Sequence, residues 1–154
     1  MIARQFPTAA ALVFVAVSAF AQAANPLAGT WKLNADKSKG STFKTGTTTI
    51  VAKGDDVAFT VDATGTDGKA MHWSFSGKYD GKDNPVKGTS PYGDTVAVTR
   101  VDAHTTRLTV KTAGKVTATQ TIVVAADGKT RTTSTKGTDT SGKPIDSVAV
   151  YEKQ

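Results

Sequence analysis

Cysteine is absent from this 154-residue chain. That excludes thiol catalysis, disulfide exchange and thiolate metal sites, and leaves stability to packing and hydrogen-bond ladders. Histidine is nearly as scarce, with only His72 and His104. They fall on different predicted elements without a flanking carboxylate pattern, so neither a metal centre nor an acid–base pair is expected. No nucleophile elbow occurs, and no glycine-rich phosphate loop precedes a helix. Asp55-Asp56 and the run Asp80 to Asp83 lack the oxygen-ligand spacing of a calcium loop and read as solvated turns. The chain is therefore expected to have no catalytic residue, no metal and no cofactor, and not to be an enzyme.

Long hydrophobic runs are also missing, with one exception at the N-terminus. Ala9 to Ala21 is apolar but too short to span a bilayer comfortably. Arg4 precedes it, and Ala21-Gln22-Ala23 follows the small-x-small cleavage rule. Residues 1–23 are thus expected to be a signal peptide cut after Ala23. This leaves a periplasmic or secreted domain over 24–154 with no transmembrane segment; the competing reading is an uncleaved N-terminal anchor. No cysteine follows the run to accept a lipid.

The formal charge is +6, from 19 basic and 13 acidic residues. The lysines are spread about one per turn rather than clustered with aromatics, so a specific nucleic-acid partner is not expected. Scattered lysines solubilise loop tips and blunt strand edges. Attraction to anionic envelope surfaces is the remaining functional reading of this charge.

What is present is a turn rhythm. Gly-Lys recurs at 68-69, 81-82, 114-115, 128-129 and 142-143, preceded by Asp at 67, 80 and 127. Asp-Gly supplies the positive φ that tight hairpins need. Between the turns the chain alternates with a period of two. Val57, Phe59 and Val61 alternate with polar or small residues, as do Met71, Trp73 and Phe75, then Leu108 and Val110, then Val148 and Val150. Helical periodicity is lacking; at most Ala35 to Lys39 could form one short turn. Pro85 and Pro91 make Asn84 to Asp94 a loop or an interrupted edge strand. The expected fold is all-β: a single antiparallel up-and-down barrel of about ten strands in meander order.

The first and last strands carry a resemblance. Gly29-Thr30-Trp31-Lys32-Leu33 resembles the opening strand of the calycins, the lipocalins and fatty-acid-binding proteins, whose Gly-x-Trp seats a tryptophan at the closed end of the barrel. Val150-Tyr151-Glu152-Lys153 resembles the last strand of the fatty-acid-binding proteins, and the whole chain is similar to small secreted lipocalin-like bacterial proteins. The resemblance implies a ligand-binding barrel with Gly29 and Trp31 at its base. It also has gaps. The family's arginine two residues before the closing tyrosine is Ala149 here, and the neighbourhood of its second arginine reads Ile122-Val123-Val124-Ala125. The segment Asn34 to Lys44 is too short for the family's portal helices. Fatty-acid binding of that family's kind is therefore not implied, and only Tyr151 remains of the pattern.

Five residues are candidates for a ligand site. Met71, Trp73 and Phe75 form the densest apolar stripe and either fill the interior or wall a cavity. Tyr151 closes the last strand. Arg100 continues the Val96, Val98 register, which would turn it inward as an anion anchor; the alternative is a snorkelling surface residue. Arg107 alternates with Leu108 and is expected outside, while Arg131 lies in a strand without an assigned face. Two functions follow: a barrel binding a small apolar or amphipathic molecule, or a solid barrel acting through its surface.

Overall fold

The computed structural model describes residues 23–154. The expected signal peptide lies, but for Ala23, outside the described residues. Eleven strands follow in order: β1 Gly29–Lys39, β2 Phe43–Lys53, β3 Asp56–Gly65, β4 Ala70–Lys78, β5 Asp83–Pro85, β6 Lys87–Gly88, β7 Thr95–Arg100, β8 Thr105–Thr112, β9 Lys115–Val124, β10 Thr130–Thr138 and β11 Pro144–Lys153. All pairings are antiparallel, and the sheet order is β5-β7-β8-β9-β10-β11-β1-β2-β3-β4-β6. Among the described residues no helix is long and apolar enough to cross a membrane.

The meander becomes a barrel because the last strand returns to the first. Leu33 lies opposite Tyr151 and Lys32 opposite Glu152. The Glu152 carboxylate accepts hydrogen bonds from Asn34 Nδ2 at 2.9 Å and Lys37 Nζ at 3.2 Å, pinning that junction. The opposite seam, between β4 and β7, is bridged by a strap. β5 pairs with β7 and β6 pairs with β4, with only Val86 between the two short strands. This is the proline-interrupted segment expected from the sequence: each fragment occupies one sheet edge, where a missing N–H costs little.

Two local expectations are corrected. Ala35 to Lys39 forms no helical turn; β1 continues through Lys39, with a register shift between Asn34 and Lys39. Pairing of Lys39 with Val148 across that bulge satisfies the backbone better than an isolated turn would. In β11 the valines are not the inward set. Val148 is 38 % exposed, while Ser147, Ala149 and Tyr151 are buried. Tyr151 is the bulkiest group in the strand and fixes its parity, since a slip by one residue would place it outside. Two small inward residues follow as a consequence, and they leave space in the barrel.

The base is a plug. Trp31 is fully buried, and its Nε1 donates to the Leu27 carbonyl at 2.9 Å. Leu27 is itself buried, held by its N–H to the Asn25 side chain. Gly29 has φ +134°, and a Cβ there would meet Lys153 Cε at 2.7 Å. Glycine tolerates that φ and leaves room for the Lys153 side chain to cross, its Nζ 5.1 Å from the Trp31 ring centroid.

Candidate functional site

Above that plug the interior divides into two walls. β2, β3, β4 and β8 contribute an apolar wall of Phe43, Phe59, Trp73, Phe75 and Leu108. Phe59 and Phe75 are cross-strand partners whose rings stack at 4.7 Å, a pair worth about 0.5–1.5 kcal/mol beyond its buried area. β9, β10 and β11 contribute a polar wall: Gln120, Arg131, Thr133, Thr135, Ser147 and Tyr151. Between the walls is a cavity of about 50 Å³, room for roughly three to five water molecules at about 10–15 Å³ each.

Arg131 is the central feature of the polar wall. The turn Asp127-Gly128-Lys129 sets Arg131 in place: Asp127 Oδ1 accepts from the Lys129 N–H at 2.9 Å, and Gly128 takes φ 71°. The first inward position of β10 then falls on Arg131, opposite Val124 of β9 and Tyr151 of β11. Arg131 is only 3 % exposed. Among the described residues no carboxylate forms an ion pair with it. Its Nη1 donates to Thr133 Oγ1 at 3.3 Å, and among the described residues its Nε has no hydrogen-bond partner. In place of a counter-ion it has ring faces, lying 4.0 Å over Tyr151 and 5.6 Å from Trp31. Cation–π contacts offset part of the desolvation cost, about 1–2 kcal/mol for each desolvated ring. Burial pulls the guanidinium down to about 10, with Tyr151 opposing the shift; it is still a cation at neutral pH.

Tyr92 closes the cavity from the strap side. Its ring stands edge-on to Phe43 and Trp73, at 6.1 and 6.2 Å. Its phenol is pushed above the usual tyrosine range by burial and by Tyr151, while Thr135 pulls the other way. Tyr151 is raised as well, by burial, with Arg131 opposing. A second void of about 20 Å³ lies behind Tyr92, bordered by Val86, Val96 and Val110.

Of the sequence candidates, Trp73, Phe75 and Tyr151 come together around this cavity, while Met71 and Arg100 stay apart from it. Met71 is half-buried, packed against the core, and lines a separate groove with Leu33, Ala63 and His72. Arg100 corrects the inward reading: it is exposed, its guanidinium 4.1 Å over the Tyr79 ring. β7 ends there, level with the N-terminal residues Asn25 and Pro26 beneath the plug, so the charge stays solvated instead of entering the core. The interior arginine is instead Arg131 of β10, the strand residue to which the sequence assigned no face. His72 and His104 are both exposed; His72 Nδ1 lies 2.6 Å from Asp62 on the outer face.

Sequence reasoning missed Arg131, Tyr92 and Phe43. A signal for Arg131 was available. Ile122 and Val124 mark the inward face of β9, and a hairpin partner shares that face, so the residue opposite Val124 had to point in.

No protein-family model matches the chain, and no curated protein matches it. Among solved structures, the chain is similar to the ileal bile acid-binding protein of zebrafish, solved in complex with cholic acid. That match has 13 % identity and a TM-score of 0.52, and covers 84 % of this chain and 99 % of that one. At this identity the likeness is one of architecture: the chain is a nearly closed, all-β barrel of the fatty-acid-binding-protein-like fold.

Proposed function

We propose that this chain is a secreted or periplasmic binding protein that takes a small amphipathic molecule into its barrel. The observation that carries this reading is the two-walled cavity. An aromatic wall facing a hydrogen-bonding wall suits a molecule with one end of each kind. The neighbouring fold was solved with cholic acid, itself an amphipathic acid, and this supports the reading. The reading is of binding rather than catalysis, since both histidines lie on the outer surface, away from the cavity. The N-terminal segment expected to direct export supports the location.

Titration with 1-butanol, 1-hexanol and 1-octanol, followed by tryptophan emission and amide resonances, tests it. Trp73 lines the cavity, so saturable changes there are expected. Ala149 also lines it, in the same wall as Arg131 and paired with Thr133, and Ala149→Phe is expected to fill the space and remove the response while the barrel's circular dichroism is retained. An Ala149→Phe variant that responds like the parent would place binding elsewhere and contradict the proposal.

A further inference from the structure

Arg131 is a buried cation with an unpartnered Nε, aimed into a cavity whose other polar groups are neutral. Buried charges in proteins are ordinarily paired or neutralised, and among the described residues this one has only ring faces and a threonine hydroxyl. A site with one uncompensated positive charge selects a single negative one; a dianion would carry its own unpaired charge into the interior. The planar guanidinium fork matches a carboxylate in two parallel hydrogen bonds. The opposite wall, of Trp73, Phe75 and Leu108, offers that carboxylate's tail an apolar surface.

Volume sets the size of the tail. The cavity of about 50 Å³ is well below the roughly 150 Å³ of an apolar cavity that takes up benzene. A longer tail has to displace Tyr92, whose strap is tied down on three sides. Val86 N–H bonds the Asp94 carbonyl at 2.8 Å, Thr89 N–H the His72 carbonyl at 2.8 Å, and Thr140 N–H the Pro91 carbonyl at 3.0 Å.

We infer that Arg131 anchors an anion site and that its ligand is a short-chain monocarboxylate with its tail on the aromatic wall. This rests on the interior-binding reading and sharpens it. The anchor sits on β10 beside the closing tyrosine, whereas the two positions taken from the family resemblance are Ala149 on β11 and the end of β9.

The experiment is an amide-resonance titration of the wild-type chain with propionate and with propionamide, its neutral counterpart of the same shape. Propionate is expected to bind about tenfold to hundredfold more tightly, the usual worth of a charged hydrogen-bonded contact, and dodecanoate more weakly than propionate. Arg131→Met and Arg131→Gln are expected to remove the preference for the acid. Equal binding of propionate and propionamide, or tighter binding of dodecanoate, overturns the inference. The butanol titration separates the two levels: response to butanol with none to propionate overturns the anion site alone, and silence toward both overturns the interior reading as well.

Discussion

Replacing Arg131 by methionine is expected to make the ligand-free barrel more stable, by about 1–4 kcal/mol, the range seen when buried ionic groups give way to apolar ones of similar volume. The wild-type residue loses its hydration without gaining a carboxylate and retains an unpartnered Nε. Its contacts with Tyr151 and Trp31 recover part of that cost. Methionine fills comparable space, has no charge to desolvate, and packs well against ring edges. The gain depends on pH with a definite sign. Burial holds Arg131 in the folded chain near 10, below its value when unfolded. Between those values the unfolded chain binds more protons, so this group's penalty shrinks as pH rises. The stabilisation by Arg131→Met should therefore be full below about pH 10 and narrow above it. Urea unfolding of both chains at pH 7 and pH 11 measures the difference. A destabilised Arg131→Met protein at pH 7 would mean that the arginine supports the fold rather than straining it.

Trp31→Ala is expected to be the most damaging single change, costing about 3–5 kcal/mol. Trp31 is fully buried at the base and binds the Leu27 carbonyl through Nε1. It also underlies both Lys153 and Arg131. Truncation therefore leaves a cavity, strands a buried carbonyl, unseats Leu27 and removes one of the two ring faces that Arg131 uses. Since domains of this size are stable by about 5–15 kcal/mol in total, a large share of the margin would go. Trp31→Phe keeps the ring and loses the donor, and is expected to cost about 1 kcal/mol plus some packing. Chemical denaturation at neutral pH ranks the three chains. A Trp31→Ala barrel within about 1 kcal/mol of the parent would contradict the plug.

These effects centre on residues that were unequally visible in the sequence. The architecture was legible because Asp-Gly or Gly-Lys turns mark several of the hairpins and many of the strands beside them alternate with period two. The base was legible through Gly29 and Trp31, a pair with a clear packing reason. The apolar wall was legible through Trp73 and Phe75, whose strand is dense enough to define an inside. The polar wall was not, because Arg131-Thr132-Thr133-Ser134-Thr135 has no hydrophobic contrast and so no face until its partner strand is known. In β11 the contrast pointed the wrong way: two valines face out and Ser147 and Ala149 face in, since the register follows Tyr151. Tyr92 was hidden for a different reason. It lies in a proline-flanked loop, where alternation does not operate and only the closure of the β4–β7 seam brings it inside.

In the proposed complex the ligand lies in the barrel interior, and not in the groove beside Met71, with its acid end at Arg131. Intermolecular nuclear Overhauser contacts from ¹³C-labelled propionate test it most directly. Contacts from the methyl group to the rings of Trp73 and Phe75 are expected, together with a shift of the Arg131 Nε–H resonance on binding. Contacts confined to Met71 and His72, with Arg131 unmoved, would place the ligand in the other groove and overturn the interior site.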